Sequence, residues 1–128
     1  MQVELHFKIA NEAVLRQRFR TKTHPLIQAV CWGLSFWLWT TYNIIPTVTC
    51  LWRSESENKA DGGKPTSRHL EIPSKAVDIR TKDLKPEVVT GIEEYLKNTW
   101  GDLLYVLVED SHLHLHLSRK AFPNGSLK

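Results

Sequence analysis

The sequence predicts an α+β fold, a small mostly antiparallel sheet flanked by helices. Three observations carry this. Apolar residues recur at helical spacing over 25–42 and again over 86–100. LLYVLV (103–108) and HLHLHL (112–117) read as two strands about a turn at Glu109-Asp110-Ser111. Helical and strand-like segments are interspersed along the chain in an α+β order.

Taken in order, VELHFKI (Val3 to Ile9) alternates weakly and reads as a strand or a frayed start. A helix is expected over 11–20. In the next segment Ile27, Val30, Cys31, Leu34, Trp37 and Leu38 follow i, i+3, i+4, i+7 spacing. Basic residues at 16–24 give that segment the outline of a signal-anchor. Gln28, Gly33 and Ser35 interrupt it, however, and it falls short of the ~20 apolar residues a membrane span requires. A buried amphipathic helix is the expectation, ahead of a membrane anchor. Pro46 breaks the pattern, and VTCLW (48–52) is β-rich. RSESENKADGGKPTSR (53–68) is polar, with Gly62-Gly63 and Pro65, and reads as a long loop of the kind that carries function. KAVDIRT (75–81) is a short strand. Pro86 opens the last helix, Val88, Val89, Ile92, Leu96 and Trp100 form its apolar stripe, and Gly101 ends it. The expected organisation is an N-terminal extension or helix over 1–24, one domain over 25–118 and a flexible tail over 119–128.

The totals fit an ordinary globular domain. At 128 residues, with 41% hydrophobic and 24% charged residues, the chain can bury a real core. A net charge of +3 suits an anionic partner such as cell wall, nucleic acid or membrane surface, without selecting one. Basic residues are scattered apart from RQRFRTK (16–22), so no nucleic-acid motif stands out. Cys31 and Cys50 form no CxxC pair and are expected as buried free thiols, with almost no case for cysteine-bound zinc.

The chemistry concentrates near the C-terminal end, in EDSHLHLHLS. On a strand, His112, His114 and His116 share one face and Leu113, Leu115 and Leu117 the other. Two imidazoles on one strand face are close enough to serve one metal, although a half-exposed strand can carry histidines with no such role. SRHLEIPSKAVDI adds His69 and Asp78, the imidazole and carboxylate that such a pair lacks for a catalytic zinc site. An aspartate within a strand is costly unless it is paired or bound to metal.

These residues lie in a longer pattern. Trp52-Arg53-Ser54, Asn58, Gly62-Gly63, Ser67-Arg68-His69, Ala76-Val77-Asp78-Ile79 and Glu109 with His112-Leu113-His114 occur in that order. The pattern resembles the metallo-D-alanyl-D-alanine carboxypeptidases and related phage endolysin peptidases of the hedgehog-like zinc fold. The resemblance spans about residues 26–118. It implies Zn2+ held by His69, Asp78 and one histidine of the pair, His114 favoured and His112 left open as a catalytic or supporting imidazole. It further implies Glu109 as general base with Asp110 as substitute, Arg53 steadying an oxyanion or a substrate carboxylate, and Ser67 binding substrate. His116 has no counterpart and reads as a bystander.

One departure stands out. LEIPSKAV, between His69 and Asp78, is two residues longer than the family spacing and carries Pro73 where a glycine is usual. The additional length is expected to be absorbed around Glu71 to Ser74, leaving Val77 and Ile79 in the core. The implied activity is hydrolysis of peptidoglycan stem peptides at a D-amino-acid bond, by carboxypeptidase or endopeptidase action. The alternatives are a catalytically inactive wall- or protein-binding domain on the same fold, and a membrane-anchored interaction protein. A monomer is expected, made in the cytoplasm of a bacterium or phage host without a cleavable signal and acting on the wall.

Overall fold

A computed structural model describes residues 3–122 of the chain. The elements are β1 (His6–Phe7), α1 (Glu12–Thr21), α2 (Pro25–Tyr42), β2 (Thr47–Cys50), α3 (Glu55–Ala60), β3 (Ala76–Arg80), α4 (Pro86–Trp100), β4 (Leu104–Val108) and β5 (His112–Leu117). The strands form one sheet in the order β1-β2-β3-β5-β4, antiparallel except for the β1–β2 pair. The α+β class read from the sequence is therefore the observed one.

Alternation decides what each strand buries. Leu113, Leu115 and Leu117 of β5 are fully buried, as are Val77 and Ile79 of β3 and Val48 of β2. They join Ile27, Val30, Cys31, Leu34 and Leu38 of α2 and Val88, Ile92 and Leu96 of α4 in a single core. Burying each such leucine contributes ~1.5–3 kcal/mol. The segment before residue 25 is built into this core as well: Phe7, Leu15 and Phe19 are buried, and Phe7 meets Phe19 edge to face. At the other end Arg119–Ala121 makes a short 3-10 turn, and Phe122 packs edge-on against His24. The remainder of the expected tail, 123–128, lies outside the described residues, as do residues 1–2.

Helix α2 starts with Pro25 after a His24 cap and ends at Asn43 in the left-handed conformation. None of the described helices is long and apolar enough to cross a membrane. The 53–68 stretch is not the continuous loop its polarity suggested. Ser54 and Glu57 form a reciprocal capping box, which starts α3 by satisfying the amides of both ends of the turn. A 3-10 turn at Arg68–Leu70 follows.

One irregularity reshapes the site. Val48 pairs with Ile79, so regular antiparallel pairing would set Cys50 opposite Val77. Instead the register shifts between Val48 and Cys50, and Cys50 stands opposite Asp78. A bulge of this kind turns a side chain to the other face. Cys50 thereby leaves the core face for the face that carries Asp78.

Candidate metal centre

On β5 the face opposite the leucines carries His112, His114 and His116, and the β3 register sets Asp78 directly across from His114. The Asp78 carboxylate is the hub. Its Oδ1 lies 3.2 Å from His69 Nε2 and 2.9 Å from His114 Nδ1. His112 Nε2 approaches Asp78 Oδ2 at 3.8 Å and Glu109 Oε1 at 3.4 Å. Sequence-distant residues 69, 78, 112 and 114 thus come together.

The long loop between His69 and Asp78 does not separate them. Glu71 turns inward to pair with Arg68 at 2.8 Å and Lys75 at 3.1 Å. Ile72 then projects outward, 66% exposed. Ser74 bridges to Thr23 before β3 begins at Ala76.

His69 is buried and rigidly held. Its Nδ1 lies 2.6 Å from the Leu51 carbonyl, which can only accept, so Nδ1 carries the hydrogen. In a neutral ring the Nε2 lone pair then faces a carboxylate oxygen. Two acceptors at that separation repel unless a proton or a cation lies between them. A carboxylate and two imidazoles arranged in this way are a donor set that suits zinc. Burial alone would raise the Asp78 pKa. When both rings are protonated, hydrogen bonds from His114 and His69, with their charges, outweigh it and hold the carboxyl well below the usual range. Asp78 therefore stays ionised, as a metal ligand must.

A donor that sequence reasoning missed lies on the other side of His69. Cys50 Sγ, His69 and Asp78 each offer a ligand atom, all within 4.8 Å of one another, so these three residues could also hold a metal. The only available signal was the weak one of a lone cysteine, since strand parity counted from Val48 points Cys50 into the core. Its Sγ lies 3.6 Å from His69 Nδ1, the ring nitrogen already engaged by Leu51. Burial, and then the Asp78 charge, pushes the thiol pKa up to about 12.

The remaining candidates surround this centre. The Arg53 amide donates to the His69 carbonyl at 3.0 Å. Arg53 Nη2 donates to Ser67 Oγ at 3.2 Å, and Nη1 pairs with Asp61 at 3.7 Å. Ser67 Oγ also accepts from the His69 amide. Arg53 and Ser67 therefore brace the His69 backbone. Asp110 is exposed in the turn between β4 and β5. His116, read as a bystander, lies with its Nδ1 2.9 Å from His114 Nε2. Burial, then the His114 and Arg68 charges, pushes its pKa down to about 4, which leaves the ring neutral.

A cleft of about 310 Å³ runs past the centre, lined by Lys64, Ser67, Arg68, Tyr105, Glu109, His114 and His116 among others. Of three larger hollows, two of about 510 and 590 Å³ lie along the N-terminal segment and one of about 400 Å³ lies beside α3, and none contains these residues. Convergent polar groups, and not size, set this cleft apart.

A family model described as Peptidase M15 matches residues 6–116. No curated protein and no solved structure matches the chain. The match covers most of the 128 residues and every residue placed at the centre, and the chain belongs to the Peptidase M15 family of metallopeptidases.

Proposed function

We propose that this member of a metallopeptidase family is a zinc peptidase that cleaves peptidoglycan stem peptides at a bond to a D-amino acid. His69 Nε2, Asp78 and His114 Nδ1 would hold the metal. The observation that carries this reading is the convergence of both imidazole nitrogens on one Asp78 oxygen, at 3.2 and 2.9 Å. His114 is preferred to His112 because His112 stands farther off, at 3.8 Å, and already faces Glu109. It is preferred to Cys50 because the thiol abuts the His69 nitrogen that is turned toward Leu51.

Zinc in such a site supplies Lewis-acid charge, lowering the pKa of water and polarising a peptide carbonyl. The chain's own residues do the rest. Glu109 is half-exposed at the mouth of the cleft and is the general base, accepting a proton from the attacking water and passing it to the leaving amine. His112 Nε2, 3.4 Å from Glu109 and 3.8 Å from Asp78, would orient the base. The Arg53 guanidinium, held beside Ser67 and Asp61, would offer its donors to a substrate carboxylate or a developing oxyanion by exchanging the 3.7 Å pairing with Asp61. Lys64 lines the cleft and can meet a carboxylate of an anionic stem peptide, Arg68 being paired with Glu71.

The test is hydrolysis by the zinc-loaded chain of a stem peptide ending in D-Ala-D-Ala, beside its L,L isomer and a cross-linked muropeptide. Selective, chelator-sensitive cleavage of D-containing bonds is expected. The product pattern separates carboxypeptidase from endopeptidase action. Zinc binding without cleavage of any of the three would overturn the enzyme in favour of a non-catalytic wall-binding domain.

A further inference from the structure

The third histidine of the row is left without a task by the reading above, yet its ring is held on two sides. His116 Nδ1 lies 2.9 Å from His114 Nε2. The Tyr105 ring stacks on its other side, with centroids 4.7 Å apart and planes 17° from parallel. The pairing register sets Tyr105 directly across from His116 in β4, and the small Ala76 across from it in β3. An aromatic plate and two backbone pairings thus fix the ring.

A neutral imidazole has one N–H and one lone pair, and an unassisted ring exchanges the two nitrogens freely. His114 points Nδ1 at Asp78 and Nε2 at His116. If Nδ1 is to offer a lone pair to a metal, the hydrogen must sit on Nε2 and needs an acceptor. Ligating histidines almost always donate that hydrogen to a carboxylate, a carbonyl or a water. Here the acceptor within reach is His116 Nδ1.

We propose that His116 is a positioning residue: it accepts the His114 Nε2 hydrogen, fixes that ring's tautomer and plane, and is itself clamped by Tyr105. The inference rests on the reading that His114 is a ligand. It makes the alternating histidines functional as a pair, one ligand and one support, set two residues apart because strand geometry returns every second side chain to the same face.

The experiment measures Zn2+ affinity of the full-length chain by competition with a chromophoric chelator, for the native protein and for His114→Ala, His116→Ala and His116→Gln. Circular dichroism checks that each variant is folded. His116→Ala should bind zinc ~10–100-fold more weakly, the usual effect of removing such a support. His116→Gln, whose amide oxygen can accept the same hydrogen, should recover much of the loss. Long-range ¹H–¹⁵N spectra of the zinc-loaded protein should show His114 as the Nε2–H tautomer. Native affinity in His116→Ala, or a His114 Nδ1–H tautomer, would overturn the role of His116. Native affinity in His114→Ala would instead remove His114 from the ligand set, and this inference with it. Should His116→Ala fail to fold, His116→Gln and the tautomer decide.

Discussion

The two faces of strands β3 and β5 are made by the same ten or so residues and obey opposite rules. On one face Val77, Ile79, Leu113, Leu115 and Leu117 are buried against α2 and α4. Each is held by contact area, which is non-directional, so a neighbour of similar volume could replace it at modest cost. On the other face Asp78, His69 and His114 are held by named atoms at 2.9 and 3.2 Å. There a substitution of similar volume but different donors loses the property that matters. The apolar face stabilises the fold, and the polar face draws on that rigidity to keep two imidazoles and a carboxylate within reach of one another.

The comparison can be sharpened by changing one face at a time. The largest effect is expected from Glu109→Gln, which keeps shape and removes the base. Hydrolysis should fall by ~10²–10⁴-fold with zinc content and melting temperature unchanged. Loss of zinc would make Glu109 a ligand. Leu115→Ala works through the other face. It should cost ~2–5 kcal/mol in denaturant unfolding while the folded fraction still binds zinc. A stable Leu115→Ala that cannot bind zinc would show that the faces are not separable. Ser54→Ala removes one half of the capping box that starts α3. It should cost ~0.5–2 kcal/mol of stability and raise KM modestly if the Arg53 segment loosens. The smallest effect is expected from Cys50→Ser. Zinc stoichiometry should not change, and the cobalt-substituted protein should lack a thiolate-to-metal absorption band before and after the change. Such a band, lost in Cys50→Ser, would put sulfur in the ligand set.

The same division explains what could be read from sequence. Period-two alternation in HLHLHL separates leucine from histidine without any knowledge of neighbours, and the stripe Val88, Ile92, Leu96 does the same for α4. Motif order brought His69 and Asp78 onto one site despite the longer loop between them. The orientation of His69 was not legible, because the Leu51 carbonyl that sets it is 18 residues away and meets it only in the fold. Nor was Cys50, since counting from Val48 assigns it to the core and only the bulge reverses that. Helix α3 was missed for a different reason. Its Ser54-Glu57 signal is present, but five polar residues and one alanine have no apolar period for a core to use. The contact of His116 with His114 follows from strand geometry, and what concealed its meaning was the absence of a family counterpart.

The account turns on the claim that one polar face of this sheet, with His69 above it, is a metal site. Elemental analysis after zinc loading and extensive dialysis tests it most directly, on the native chain and on His69→Ala, Asp78→Ala, His114→Ala and Leu115→Ala. About one zinc per native chain is expected, as a site with three protein ligands binds. Close to none is expected in the three polar variants, and retention in the folded fraction of Leu115→Ala. Zinc retained at the native level by His69→Ala or Asp78→Ala would contradict it.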